Sequence, residues 1–388
     1  MPNPDEVATV IVAGRRFDNW ESVWIQHRWA EDCPLFKFTT ADIVEVPSNW
    51  QLLQFKPGDE CAIYLGRYLA VAGVILTRQT AYDAENKGVQ LDGKGITWYA
   101  ARASVMHKTG NFDGKTFEQV AREVIGPTGV GIKVVGNLNA TPFARLQVEP
   151  GETVWNFLER IARPRGIVLG SDHLGNFLLI GDHVGVVAAD LQEGFNILRC
   201  QAVISVENIY TEYPVRGQSA ASDEQHGTQA SEQEASAGGT AKRYSPLLTP
   251  AEQPVWGIGE LADRAKNEAV WHEGTIVEAT ITVQGWMRPN TGLLWAAGDD
   301  VRVYTPMAML NMVMKIQTVT FTQDRNSGTL TTLVLVAPWL LKDRGDWNVN
   351  QPGAPAAPGD GRPSTTLPST PAPTPVPDPP AATLSGPG

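Results

Sequence analysis

Lys56-Pro57-Gly58-Asp59-Glu60-Cys61-Ala62-Ile63-Tyr64-Leu65-Gly66-Arg67-Tyr68 reads as a turn, a strand, a second turn and the start of another strand. Pro57 and Gly58 are turn residues, one with a fixed φ and the other free to take positive φ. Cys61 to Leu65 shows the two-residue alternation of a half-buried strand. Gly66-Arg67 turns the chain, and Tyr68 to Thr77 continues as an apolar strand. Gly73 inside that strand marks a bulge or a close backbone contact. Working outward, Val7 to Val12 is a strand and Ala13-Gly14-Arg15-Arg16 is a turn. Trp20, Val23, Trp24 and Ile25 resume the β pattern, and Phe36-Lys37-Phe38-Thr39 alternates again. Short strands at this spacing predict a barrel or a sandwich over residues 1–100.

The pattern changes over residues 101–190, which read as an α/β segment. Thr116 and Gln119 stand where a capping box opens a helix. Phe117, Val120, Ala121 and Val124 follow at helical spacing, predicting a helix near 116–125 that Gly126-Pro127 stops. A second helix is predicted near 153–163, with Val154, Trp155, Phe157, Leu158 and Ile161 apolar and Pro164 at its end. A hairpin over 167–180 follows, turning at Asp172-His173-Leu174-Gly175-Asn176.

Strand character returns over 191–342, with a helix near 258–271. Residues 217–241 are a low-complexity run of Ser, Ala, Gln, Glu and Gly without apolar period, read as a flexible loop. Residues 343–388 become a Pro/Ala-rich tail, read as disordered or polyproline-like. The fold class expected is therefore mixed and β-rich (α+β): two similar β-barrel, tube-type domains at the ends and an α/β segment between them.

Composition narrows the function. The chain has 388 residues, 42% of them hydrophobic, enough for a substantial core. The formal net charge of −11 disfavours a dedicated nucleic-acid binder, which would carry a basic face. Cys33, Cys61 and Cys200 are too few and too scattered for a disulfide framework or a zinc site. The acidic start, Met1 to Glu6, is not a signal peptide, and no apolar run approaches the ~18 residues of a membrane span.

Candidate chemistry is sparse. Ser171-Asp172-His173 holds the three residue types of a hydrolase triad, but neighbours in one hairpin turn cannot converge as a triad must. His173, Asp182 and His183 have no metal-ligand spacing. Gly126-Pro127-Thr128-Gly129-Val130-Gly131 is Gly-rich, yet it follows a helix and no Gly-Lys-Ser/Thr closes it, so it reads as a helix C-terminal turn. Asp299-Asp300 reads as a solvated turn. Among twelve tryptophans, Trp20, Trp24, Trp29, Trp286, Trp295 and Trp339 flank strands. They suit core and interface packing better than a sugar platform. No catalytic, cofactor or metal residue is assigned.

Four segments together resemble the baseplate hub proteins of contractile-tailed phages, most closely the Mu-like hub. They are Gly14 to Val23 leading to Lys56-Pro57-Gly58-Asp59; Gly110-Asn111-Phe112-Asp113-Gly114-Lys115-Thr116-Phe117; Pro150-Gly151-Glu152-Thr153-Val154-Trp155 through Ala162 with the hairpin to Asn176; and Leu261-Ala262-Asp263-Arg264-Ala265 leading to Val283-Gln284-Gly285-Trp286 and Leu294 to Val301. They fall in the family's order over residues 7–342. The resemblance implies a homotrimer in which two barrels per chain make a six-barrel ring around a channel. Its implied partners are the tail tube protein, a central spike protein and the wedge proteins. DNA would meet it only in transit, and no membrane segment is involved. The implied location is the virion's tail baseplate, with assembly in the host cytoplasm. A tail-associated cell-wall or polysaccharide hydrolase and a carbohydrate-binding module stay open beside it.

Overall fold

The computed structural model describes residues 6–17, 20–41, 55–82, 87–181, 187–217, 233–250, 258–289 and 291–337. They lie in one compact unit. The tail at 343–388 lies outside the described residues.

The N-terminal strands are β1 (Ala8–Val12), β2 (Arg15–Phe17), β3 (Ser22–Arg28), β4 (Leu35–Ala41), β5 (Glu60–Leu65), β6 (Tyr68–Tyr82) and β7 (Lys87–Gly95). The C-terminal ones are β11 (Val187–Gln192), β12 (Arg199–Ile204), β16 (Val277–Gln284), β17 (Asp300–Thr305), β18 (Leu310–Asp324) and β19 (Gly328–Val336). All thirteen join one sheet in the order β12-β16-β19-β18-β3-β4-β7-β6-β5-β1-β2, with β17 on β18 and β11 on β17. Alternation drives this pairing: β1 and β5 bury every second residue, so one face of each meets the core.

The two expected barrels are not there. Among the described residues no sheet closes; the path ends on β12 and on β2. The physical reason lies in β6 and β18, each 15 residues long. Each breaks register at a bulge, between Ile75 and Thr77 and between Ile316 and Thr318. A bulge bends a strand and lets its two halves face different neighbours. The near half of β18 pairs with β17 and its far half pairs with β3, from the other end of the chain. The strand that could have closed one unit instead continues into the other. Period-two patterning reports half-burial, which an open sheet and a barrel share.

The two halves are nonetheless similar. The order β4-β7-β6-β5 is repeated by β16-β19-β18-β17, and β3 lies on β4 as β12 lies on β16. Gly58 donates its N–H to the Ile75 carbonyl at 2.7 Å, and Ile75 donates to Asp59 at 3.0 Å. Gly298 donates to Ile316 at 2.8 Å, and Ile316 donates to Asp299 at 2.9 Å. Both glycines take positive φ, +100° and +93°, where a side chain would be strained. One core serves both halves: Val10, Ile25, Phe36, Phe38 and Ile63 cluster with Ile281, Trp286, Val303, Met314, Phe321 and Leu333.

The middle segment has its own core. It contains α1 (Thr97–Arg102), α2 (Phe117–Ile125), β8 (Gly131–Val135), α3 (Val154–Ala162), β9 (Val168–Ser171) and β10 (Asn176–Ile180). The capping box is present at Thr116 and Gln119, and Thr153 caps α3. Phe112, Phe117, Phe157 and Phe177 are buried together. The 167–180 hairpin is β9 and β10, with β8 added parallel on β10.

Of the run read as a loop over 217–241, residues 218–232 lie outside the described residues, and Gln233–Gly238 is a strand. β13 (Glu212–Gly217) pairs antiparallel with β14 (Gln233–Gly238), and β15 (Thr249–Pro250) lies parallel on β13. Helix α4 (Ile258–Gly274) packs on this small sheet, its Leu261 and Ala265 against Val215. Small residues such as Ala235 and Ala237 look like low complexity but fit closely under a helix.

At the equivalent site in the two halves the chemistry differs. Glu60 lies opposite Val74 in the first half, and Asp300 lies opposite Lys315 in the second. Lys315 Nζ is 2.6 Å from Asp300 Oδ1, and both side chains are buried. Lys315 also donates to the Gly298 carbonyl at 3.2 Å. Lys315→Met removes the cation 2.6 Å from the buried Asp300 carboxylate and is expected to cost roughly 3–5 kcal/mol. Adding Asp300→Val, which restores an apolar pair, is expected to recover most of that loss. Urea midpoints of the two variants check this; a single variant as stable as the parent would show that the pair contributes nothing.

Candidate functional site

The middle segment docks on the sheet beside the junction of β3 and β18. Ala72 of β6 donates to the His173 carbonyl at 3.1 Å, and Ser171 Oγ donates to the Glu31 carbonyl at 3.2 Å. Between them lies a cleft of about 480 Å³, lined by His27, Tyr68, Asp172, His173, Arg288 and Trp295 among others.

The triad-like run Ser171-Asp172-His173 sits at this cleft, but its Ser171 and Asp172 side chains are committed to structure. Asp172 Oδ1 accepts from the Leu174 and Asn176 N–H groups at 3.0 and 2.7 Å, and Oδ2 accepts from Asn176 Nδ2 at 2.9 Å. That is an Asx-type turn closing the β9–β10 hairpin. With Ser171 bound to Glu31, no nucleophile–base pair forms. Asp182 and His183 lie outside the described residues. Among the described residues no group of three or more His, Cys, Asp or Glu side chains is placed to hold a metal.

Gly126 to Thr128 is a 3₁₀ turn after α2, and Gly129 takes the left-handed conformation, with φ +75°. This matches its reading as a helix C-terminal turn. Asp299-Asp300 is not a solvated turn. Asp300 is buried against Lys315, and Asp299 accepts a hydrogen bond from the Arg288 guanidinium. Local sequence could not show this, since both cations arrive from other strands or loops.

The tryptophans pack. Trp286 is buried and donates to the Thr322 carbonyl at 3.3 Å; Trp295 is buried in the shared core. Trp20 packs against that core and donates to the Ala8 carbonyl at 3.0 Å. Trp24 and Trp29 are half-buried, and Trp339 lies outside the described residues.

His27 is a perturbed titratable group of the cleft. Its Nε2 lies 2.9 Å from the Ala70 carbonyl, and its ring meets Phe321 edge-on at 6.4 Å. Burial, the largest influence, lowers its pKa to about 4; the Ala70 hydrogen bond partly opposes this, His173 lowers it further and Asp172 raises it. The ring is therefore neutral at physiological pH and donates its Nε2–H to Ala70. It holds β3 to β6 beside the junction.

Sequence reading missed the surface. Phe195, Met307 and Met309 are exposed around the β17–β18 turn, and Leu198, Val203, Ile204 and Val206 are exposed on and around β12. An apolar edge strand is what a partner strand covers.

Two family models match. The model for the second domain of gp44-like baseplate hub proteins covers residues 101–181. The model for the fourth domain of the Mu phage baseplate assembly protein GpP covers residues 260–342. The baseplate hub protein gp44 of Escherichia phage Mu is 24% identical over 294 residues, spanning 74% of this chain and 76% of its own. Among solved structures, the 43 kDa tail protein of prophage MuSo2 from Shewanella oneidensis aligns at TM-score 0.76 and 24% identity, over 86% of this chain and 99% of that one. The tail protein from Neisseria meningitidis MC58 aligns at TM-score 0.73 and 20% identity, over 86% and 97%.

Neutral His27 makes stability depend on pH. The unfolded chain binds this proton near pH 6.5 and the folded chain only near 4. The contribution is complete above the unfolded value and is lost as pH falls through the folded one. The loss is bounded at about 3 kcal/mol. The unfolding midpoint of His27→Gln should therefore drop less than the parent's between about pH 7 and about pH 4.5. Parallel pH profiles for the two proteins would exclude His27 as the cause.

Proposed function

We propose a specific structural role for this chain, which belongs to the Mu-like family of phage baseplate hub and tail proteins: three copies form a ring that joins the tail tube to the central spike and lets DNA pass. The coarse part follows from membership. The chain is a structural protein of the virion, part of the tail baseplate and assembled in the host cytoplasm.

One observation carries the finer reading. Each chain holds two similar sheet units with matched Gly-Asp clamps, at Gly58-Asp59 and Gly298-Asp299. Three such chains present six similar units, which suits a six-fold tube on one face. The chains themselves repeat only three times, which suits a three-fold spike on the other. The middle segment, about 101–190, and the small α4 sheet decorate that ring. Tube, spike and wedge proteins are its partners.

Charge supports the passage of DNA. The net charge of −11 repels phosphate, so a bore lined by such a protein conducts DNA without holding it. The chemistry of the cleft supports the same reading: Asp172 closes the β9–β10 turn, and Ser171 and His27 join elements across the cleft.

Sedimentation and negative-stain electron microscopy of the full chain test the ring. The expected result is a trimer mass and ring-shaped particles with a central hole. A strictly monomeric chain at high concentration, with no ring in tail particles, would sink the proposal.

A further inference from the structure

The turn between β17 and β18 departs from its counterpart in the first half. That counterpart is the two-residue turn Gly66-Arg67, with Leu65 opposite Tyr68. Gly66 takes the left-handed conformation there, with φ +60°, at no steric cost. In the second half four residues, Pro306 to Met309, join Thr305 to Leu310. The left-handed position falls on Met309, with φ +55°. A bulky side chain in that region is strained and persists only where its surroundings impose it. The rest of the turn is tied down. Ala308 packs against the core and donates its N–H to Thr305 Oγ1 at 3.3 Å, and Met309 donates to the Pro306 carbonyl at 3.0 Å. Met307 donates to Glu193 Oε2 at 3.2 Å, which sets the turn after β11 alongside. Phe195 stands in that neighbouring turn, its N–H on the Gln192 carbonyl at 3.2 Å. The three large side chains point outward: Met307 is 90% exposed, Phe195 84% and Met309 73%.

We propose that this apolar knob, Phe195 with Met307 and Met309, is the docking point for the ring's three-fold neighbour, the central spike. Each knob enters an uncharged, apolar pocket that recurs three times on that partner. The proposal rests on the ring reading above and names one of its contacts. Methionine suits such a contact, because its unbranched chain adapts to the shape of a pocket.

Symmetry selects the partner. The knob occurs in one half of the repeat, so three chains carry three of them, and the three alternate places carry the exposed Arg67. Six identical tube subunits cannot match an apolar tip and an arginine tip with one surface. A partner of three-fold symmetry meets the same tip three times. Area selects it as well. At about 200 Å² for each large side chain, one knob offers less than the ~800 Å² that each side of a standard interface buries. A contact through a single knob is therefore weak, whereas three knobs on one partner exceed that size. Strain points the same way. Replacing the unstrained glycine of the first half by Met309 destabilises the turn, and the side chain gained lies mostly outside the chain's own core.

Binding of the full chain to two probes, the spike protein and the tube protein of the same tail, tests the assignment. Met307→Asp sets a charge at the tip and is expected to weaken spike binding at least about tenfold, with trimer mass and tube binding as in the parent. Met309→Gly removes the side chain and relieves the backbone. Its melting temperature is expected to hold or rise while its spike affinity falls, a combination that a purely structural role for Met309 would not produce. Spike affinity equal to the parent's in both variants would overturn the docking. Loss of tube binding with spike binding intact would overturn the choice of partner. Loss of the trimer in Met307→Asp would place the knob between copies and overturn the docking too. A parent chain that forms no trimer would overturn the ring reading itself, and the docking with it.

Discussion

Gln26 and Thr320 stand 294 residues apart and meet across adjacent strands. That junction of β3 with β18 merges the two ends of the chain into one sheet and one core. Gln323 reinforces it: its side chain accepts from the Ala8 N–H at 3.0 Å and donates to the Glu6 carbonyl at 2.7 Å. The N-terminal strand is thereby fixed to the C-terminal half. Without the junction each half would keep an open edge, and its inward-facing residues, such as Ile25 and Phe321, would be exposed along one side. The cleft, the docking of the middle segment and the neutral His27 all sit beside this line and inherit their geometry from it.

Much of the fold was legible because it is local. Thr116 and Gln119 define a capping box within four residues, and Asp172 to Asn176 closes a hairpin on itself. Strand positions such as Cys61 to Leu65 declare themselves by alternation. Closure does not. Whether β18 turns back on its own half or passes to β3 is decided by the bulge near Gln317 and by partners hundreds of residues away. The burial of Asp300 is hidden in the same way, because Lys315 reaches it across a hairpin. The α4 sheet was obscured for a different reason: Ala235 and Ala237 are small residues serving as packing surface, which composition cannot tell from linker.

Of the candidate chemistry, the turn itself was legible: Ser171, Asp172 and His173 are neighbours in it, and Asp172 closes it. What sequence could not reveal is which apolar residues stay outside. Val203 and Ile204 read as strand core by type, and only the position of β12 at the end of the sheet exposes them. The signal that finds them is the repeat itself, which needs strand register to be aligned.

The differences between the halves carry as much meaning as the likeness. The clamp glycines, the bulges and the strand order agree, so the frame is shared. The decoration is not: β1 lies antiparallel on β5, whereas β11 lies parallel on β17. Glu60 and Val74 give way to Asp300 and Lys315, and the Gly66-Arg67 turn gives way to the exposed Met307 and Met309. In a simple hexamer of identical units every position would be constrained to serve all six places at once. Fusing two units in one chain lifts that constraint, since each half accumulates its own residues on a shared frame. On the proposed reading, that is how one protein can meet a six-fold neighbour through what its halves share and a three-fold neighbour through what they do not.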